Sequence, residues 1–281
     1  MTLVRLDETL DGDSGIYFEG TLVEALQTEY QLIEVFDTAA LGKLMRIDGA
    51  NMTSERDEFF YHENLVHPVA IAHSDPRNVL IIGGGDGGSS EEILKHPSVK
   101  RVVLVELDEA VIRMAKKHFS AVHHDVFDNP KLEVCIMDGG TFVRTTQERF
   151  DLVFLDLTDP TGPAAALYTE VSFVALKRAL ISGGALVLHM GSPFSHPQRV
   201  ADTVASLRSV FTRTTPYFVH IPTYGSQWGF VIASDSLDTD ITAAEVERRL
   251  NDRNILDRRF YNGEMHRAML ALPEYVKALI E

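Results

Sequence analysis

The chain has 281 residues, of which 45% are hydrophobic and 24% charged, an ordinary globular balance that excludes wholesale disorder and allows a sizeable core. Lys and Arg number 26 against 41 Asp and Glu, a formal charge of −15, which makes nucleic acid a poor partner and favours cations. A single cysteine, Cys135, leaves no intrachain disulfide or cysteine-based zinc cage and fits a reducing cytoplasm, and no membrane span or signal-peptide pattern is apparent from Met1 onward.

The first 50 or so residues alternate polar and apolar, as in Gln31–Val35 and Lys43–Ile47, with turn residues at Asp37-Thr38, Leu41-Gly42 and Asp48-Gly49. This period-2 pattern predicts a small antiparallel β domain over residues 1–53. Thr53 or Ser54 is placed to cap a helix from Glu55 to about His73, with Phe59, Leu65, Val66, Val69 and Ala70 as its apolar stripe. From Asn78 the pattern turns to strand–helix alternation. Apolar runs at Val79–Ile82, Val102–Val105, Leu132–Ile136, Leu152–Leu155 and Ala185–Leu188 are separated by helical stretches at Glu91–His96, Glu109–Phe119, Tyr168–Leu180 and Gln198–Phe211. Runs apolar on both faces predict a parallel sheet covered by helices on both sides. Pro216–Val219 and Trp228–Ala233 lie close enough to pair antiparallel, and Thr242–Glu281 reads as an amphipathic helical tail broken around Tyr261-Asn262-Gly263. The fold class is therefore α/β, a Rossmann-like, methyltransferase-type mixed sheet over residues 54–281 behind the N-terminal β domain.

The strongest local signal is Gly83-Gly84-Gly85-Asp86-Gly87-Gly88, directly after a strand and before a helix. Glycines there allow a tight turn and close approach of backbone to ligand. Glu106 ends the next strand about 20 residues on, where a carboxylate takes both ribose hydroxyls. Asp86 opposes a pyrophosphate, since like charges 4 Å apart cost roughly 4 kcal/mol at an effective dielectric of about 20. The ligand is thus neutral or cationic at that point, and a sulfonium nucleoside fits. Asp138-Gly139, suited to an adenine amino group, and Asp156, with Asp159-Pro160 just after it, end two more strands. In an open parallel sheet these ends share one crevice, so the acids form a cation-binding wall. The segment from Asp156 to Pro163, through Thr161, is too broken for a helix and suits a lid.

The chain resembles the spermidine synthase (polyamine aminopropyltransferase) family over nearly its whole length. The matching residues are Tyr30-Gln31, Asp48-Gly49, Thr53, Asp57-Glu58-Phe59, Tyr61-His62-Glu63, Gly83 to Gly88, Glu106, Asp138, Asp156-Leu157-Thr158-Asp159-Pro160, Pro163 and Pro222-Thr223-Tyr224. The resemblance implies transfer of an aminopropyl group from decarboxylated S-adenosylmethionine, a co-substrate rather than a bound cofactor, to a diamine, releasing methylthioadenosine; putrescine, giving spermidine, is the expected acceptor, with cadaverine, agmatine and spermidine as alternatives. It implies that Gln31, Glu106, Asp138, Gly139 and Pro163 contact the nucleoside against the Gly83, Gly84 and Gly85 turn. By the same resemblance His62, Asp86, Asp156 and Asp159 hold the amines, with Asp156 as proton acceptor in the Asp156-Leu157-Thr158-Asp159 turn and Tyr61 and Tyr224 lining the amine channel. It further implies homodimers or homotetramers built partly through the N-terminal β region. Two stretches depart from the family: His189 stands where Gln or Glu is frequent, and Gly225-Ser226-Gln227-Trp228 falls in a variable stretch, both bearing on acceptor choice.

Two competing functions share these features. A methyltransferase of the same fold needs room for the donor carboxylate, which Asp86 opposes, and a polyamine-binding protein needs no sulfonium site. Weaker signals are set aside. His62 and His67 are five apart, about 140° round a helix, rather than the four apart of a zinc-protease motif. His123-His124-Asp125 with Asp128 reads as a solvated loop, Met114, Met137 and Met190 as core filler, and Cys135 as an inert thiol in a buried strand, so no metal is expected.

Overall fold

The structure, a computed structural model, describes residues 2–160 and 162–281; Met1 and Thr161 lie outside them. Five antiparallel strands come first: β1 (Leu3–Asp11), β2 (Ser14–Gln27), β3 (Leu32–Thr38), β4 (Gly42–Ile47) and β5 (Ala50–Ser54), paired in sequence order. The long β1–β2 hairpin was not legible in the sequence: its side chains are mixed in polarity and largely exposed, so it carries little alternation.

Helix α1 (Glu58–Ala72) begins later than the predicted Glu55. Asp57 stands at its N-cap without a capping bond, and Ser54, expected as cap, donates its hydroxyl to the Asp57 carboxylate at 2.5 Å. That carboxylate also receives the backbone N–H and hydroxyl of Thr223, tying the start of α1 to the turn that carries Tyr224. Instead of one apolar stripe, α1 is buried on every side from Tyr61 to Ala72, the behaviour of a helix enclosed within a core.

The alternating part follows as β6 (Asn78–Gly83), α2 (Gly88–Leu94), β7 (Arg101–Glu106), α3 (Glu109–His118), α4 (Ser120–His123), β8 (Leu132–Ile136), α5 (Gly139–Thr145), β9 (Phe150–Asp156), α6 (Glu170–Arg178), β10 (Leu180–Gly191), α7 (Pro197–Val210), β11 (Arg213–Ile221) and β12 (Ser226–Ser234). The strands form a seven-stranded mixed sheet in the order β11-β12-β10-β9-β6-β7-β8. All pairs are parallel except those of β12 with β10 and β11. The chain moves outward from β6 through β7 to β8 and then returns to β9 on the other side of β6. The order therefore reverses between β6 and β9, which opens a crevice at their carboxyl ends.

Several local expectations change. Helix α5 was missed because its two leading glycines hide the start. In the broken stretch after Asp156, residues 157–160 are irregular as expected, Thr161 lies outside the described residues, and a 3-10 helix follows at Gly162–Tyr168. Strand β8 is an edge strand with Val134 and Ile136 exposed, so Cys135 is only half-buried; burial still pushes its thiol pKa up, followed by the Glu133 charge. His123 is buried at the end of α4 rather than in a solvated loop. The tail forms α8 (Ala243–Asp252), α9 (Gly263–Met269) and α10 (Glu274–Ile280), with a wider break than Tyr261–Gly263. That break is docked by buried Glu63, whose carboxylate accepts the N–H groups of Arg259, Phe260 and Tyr261.

Apolar clusters fill both faces of the large sheet, and a third joins the small sheet to α3 through Ile33, Val35, Met45 and Ile47 against Val111, Met114 and Phe119. This third cluster brings Gln31 to the crevice. No helix among the described residues is long and apolar enough to cross a membrane.

Candidate active site

At the reversal point Gly83 of β6 lies opposite Asp156 of β9. Gly83 has φ +83°, and a Cβ there would stand 2.1 Å from the Asp156 carbonyl oxygen. Only glycine tolerates both the left-handed backbone and that approach. The next amide, Gly84 N–H, donates to the same carbonyl at 2.8 Å. The glycine loop is thus folded directly onto the end of β9.

Asp86, inside the loop, faces His62 of α1, with Oδ2 3.3 Å from Nε2. The other ring nitrogen of His62 lies 2.9 Å from Glu58 Oε2. Burial would lower the His62 pKa, but the two carboxylates outweigh it and hold the imidazole well above the usual histidine range, as an imidazolium. For Asp86 burial acts upward, and the His62 charge outweighs it and holds the carboxyl below its ordinary value. The predicted wall of acids thus carries a buried cation of its own beside Asp86. His62, Asp86 and Asp156 present ligand atoms within 4.8 Å of one another, but both His62 nitrogens are engaged by carboxylates, which opposes a metal there.

The Asp156 pKa is raised from its ordinary value, first by burial and then by the Asp86 charge. His62, the Ser89 hydroxyl at 2.6 Å and the Tyr61 hydroxyl act in the opposite direction. Ser89 was not singled out in the sequence; its place in the first turn after the glycine loop was the available signal.

A cavity of about 160 Å³ opens here. Gly83, Gly84, Gly85, Glu106 and Gln31 form one part of its wall, Asp138, Gly139, Pro163, Leu157 and Thr158 another. Burial pushes Glu106 up to about 7 although the N–H groups of Asp108 and Leu107 oppose it. Gln31 Nε2 donates to Asp108 Oδ2 at 3.2 Å, and Asp108 caps α3 through Ala110 N–H, so the small sheet is fastened beside Glu106. Asp138 caps α5, with Oδ1 taking the N–H and hydroxyl of Thr141, and those bonds hold its pKa down. One of its two oxygens is therefore already committed to the fold.

A second cavity of about 260 Å³ adjoins the first, and Gln31, Tyr61, Leu157, Thr158, Pro163 and Tyr224 line both. Its walls are aromatic: Tyr61 meets Tyr224 edge-on at 6.1 Å, Tyr224 contacts Trp228 at 4.7 Å, and Trp228 stacks on His189 at 5.8 Å. Tyr224 is anchored by its hydroxyl to Met52 O at 2.8 Å. Burial keeps His189 neutral, and its Nε2 lies 2.8 Å from Leu157 O and 3.0 Å from the Tyr168 hydroxyl. Asp159 lines this cavity and is paired with Arg199 at 2.8 Å. Glu8, absent from the sequence-based selection, also lines it, and burial pushes its carboxyl up to about 7 against the Asn51 N–H. A lone acid in an irregular hairpin carries no sequence signal.

The geometry is that of a cavity walled by the glycine loop, Glu106 and Asp138 opening into an aromatic, acid-lined one, with one buried carboxylate beside their shared wall. A family model described as the spermine/spermidine synthase domain matches residues 58–243. The chain belongs to this family. It is 44% identical over 275 residues to a polyamine aminopropyltransferase of Nitrosomonas europaea, covering 97% of this chain and 85% of that one. It is 40% identical over 257 residues to polyamine aminopropyltransferase 1 of Pseudomonas aeruginosa, covering 91% and 90%. Among solved structures it resembles a spermidine synthase in complex with the transition-state analogue AdoDATO, with a TM-score of 0.93, 33% identity and 99% and 94% coverage. A spermidine synthase from Thermotoga maritima superposes with a TM-score of 0.91 at 33% identity, again covering 99% and 94%. The chain is an aminopropyltransferase of polyamine biosynthesis, moving an alkyl group other than methyl between small molecules.

Proposed function

We propose that the acceptor is putrescine, that the donor is decarboxylated S-adenosylmethionine used as a co-substrate, and that Asp156 takes the proton. The carrying observation is the buried, upward-shifted Asp156 carboxylate beside Tyr61, Leu157 and Thr158, three of the residues that line both cavities. Glu106 receives the ribose hydroxyls, and the free oxygen of Asp138 receives the adenine amino group. Asp86 pairs with the donor ammonium. His62 meets no amine directly; clamped by Glu58, it fixes the Asp86 carboxylate and tempers its charge.

The attacking nitrogen uses its lone pair to form a bond to the carbon beside sulfur. The C–S bond breaks with its electron pair going to sulfur, which leaves as the neutral thioether of methylthioadenosine. The nitrogen must first lose a proton. An alkylamine near 10.4 and an aspartate near 3.9 differ by about 6.5 units, or roughly 9 kcal/mol. Desolvation of the amine between Tyr61, Tyr224 and Trp228 lowers the first value, and burial of Asp156 raises the second. Alignment of nitrogen, carbon and sulfur supplies much of the remaining rate. The distal ammonium lies toward Glu8 and Asp159.

The test is a panel of amines given with decarboxylated S-adenosylmethionine, with product masses read. Putrescine gives the highest kcat/KM and a product heavier by one aminopropyl group. A higher value for cadaverine, agmatine or spermidine overturns the acceptor, and methyl transfer from S-adenosylmethionine overturns the donor.

A further inference from the structure

Asp159 lines the acceptor cavity and is paired from behind its wall with Arg199, and nothing in the transfer chemistry calls for a cation there. Arg199 is delivered by the first turn of α7. Its guanidinium runs along Gly191 at the end of β10, where φ is +81° and a Cβ would come within 3.2 Å of Nη1. A side chain at 191 would have to displace it. The Arg199 charge also reaches Tyr168 and His189, so its influence extends to the aromatic wall.

Among the described residues, three carboxylates line this cavity, Glu8, Asp48 and Asp159. Arg46 acts on Glu8 and Arg199 pairs with Asp159. With both guanidiniums in place, the channel end carries one net negative charge when all three acids are ionised. That charge matches an acceptor with a single ammonium beyond the attacking nitrogen. Space is not the restriction, because this cavity, at about 260 Å³, is larger than the nucleoside cavity at about 160 Å³.

We propose that Arg199 is a specificity-determining residue that limits the acceptor to diamines by cancelling the Asp159 charge that a second distal ammonium would need. A triamine carries that second ammonium, and at the wall of this cavity it meets an Asp159 carboxylate already paired with a guanidinium. The inference rests on the reading of this cavity as the acceptor site.

The experiment compares kcat/KM for spermidine and putrescine in wild type, Arg199→Gln and Arg199→Lys. Wild type prefers putrescine. In Arg199→Gln the spermidine-to-putrescine ratio rises at least about tenfold, through a lower KM for spermidine, as expected when one like charge is removed from a desolvated site. Arg199→Lys keeps the wild-type ratio, because the charge is retained. An unchanged ratio in Arg199→Gln overturns the inference, and so does Arg199→Lys behaving as the glutamine variant. Methylthioadenosine binding reports whether each variant is folded. Should the glutamine variant fail to fold, equal use of the two amines by wild type still overturns the inference. Wild type that transfers to no diamine refutes the acceptor reading itself, a result distinct from an unmoved ratio.

Discussion

The hydroxyl of Ser89 donates to Asp156 Oδ2 over 2.6 Å, from the first turn of the helix behind the glycine loop. A hydrogen bond to a carboxylate favours the ionised form, so Ser89 holds down a pKa that burial and Asp86 push up. Such a bond to a charged group contributes roughly 1.5–3 kcal/mol, equivalent to about one to two pKa units. Ser89→Ala therefore moves the acid limb of the kcat–pH profile upward by about one unit. The profile is measured from pH 5 to 9 with saturating substrates; an unmoved limb removes Ser89 from this role.

Asp156 itself is tested by Asp156→Asn, which keeps the shape but cannot take a proton. Loss of a positioned general base costs about 10²–10⁴ in rate. Turnover falls by that order while methylthioadenosine, which needs no base, binds nearly as before. Turnover within a few-fold of wild type would reassign the base.

The large sheet was legible because β6, β7 and β9 are buried on both faces and so read as unbroken apolar runs, while their carboxyl ends are marked by Gly83–Gly88, Glu106 and Asp156. Placement at one edge then follows from parallel topology alone. What stayed hidden depends on contacts between distant segments. Glu8 lines the channel from a largely exposed hairpin, Arg199 reaches the channel's Asp159 from the helix after β10, and neither carries a local pattern. The charge of Asp86 was read correctly from its place in the loop, but its partner His62 comes from a helix more than 20 residues earlier, which the loop does not announce. Asp138 shows the reverse: the acid after a strand was visible, but its work as the cap of α5 required the helix to be seen.

The His62–Asp86 pair gives a ligand-dependent expectation. Asp86→Asn removes the partner of the donor ammonium and also leaves the His62 imidazolium with Glu58 alone. Breaking one side of a buried pair costs about 3–5 kcal/mol, so thermal stability drops as well. Binding of decarboxylated S-adenosylmethionine weakens at least about tenfold more than binding of methylthioadenosine, which lacks the ammonium. Calorimetry with both ligands checks this, and equal losses would refute selection by charge.

Glu106 couples nucleoside binding to pH. Its pKa stands at about 7 in the ligand-free protein, above the ordinary glutamate value, so its contribution to stability is full below that ordinary value and is lost as pH rises through about 7. Ribose binding has the opposite sign, since the hydroxyls donate to the ionised carboxylate. Methylthioadenosine affinity therefore falls about tenfold from pH 8 to pH 6. Glu106→Gln flattens that dependence, weakens binding at pH 8 and raises the ligand-free Tm there. A profile that keeps its slope in the variant assigns the titration to another group.

Gly88 offers a test of how closely α1 and the glycine loop are fitted. A Cβ at Gly88 would stand 2.2 Å from His62 Cε1, and both residues are buried, so the imidazole must swing away from Asp86 and Glu58. Overpacking of this kind costs about 1–3 kcal/mol, with loss of the ion pairs added. Gly88→Ala therefore lowers Tm and weakens binding of decarboxylated S-adenosylmethionine. His62→Ala also lowers Tm, because it leaves Glu58 and Asp86 buried without their cation. Combining the two removes the clash, so the double variant loses less stability than the two single losses added together, with a coupling of about 1–3 kcal/mol in chemical denaturation. Strict additivity would mean that the loop and the helix adjust independently, and the fitted contact between Gly88 and His62 would not be what holds Asp86 in place.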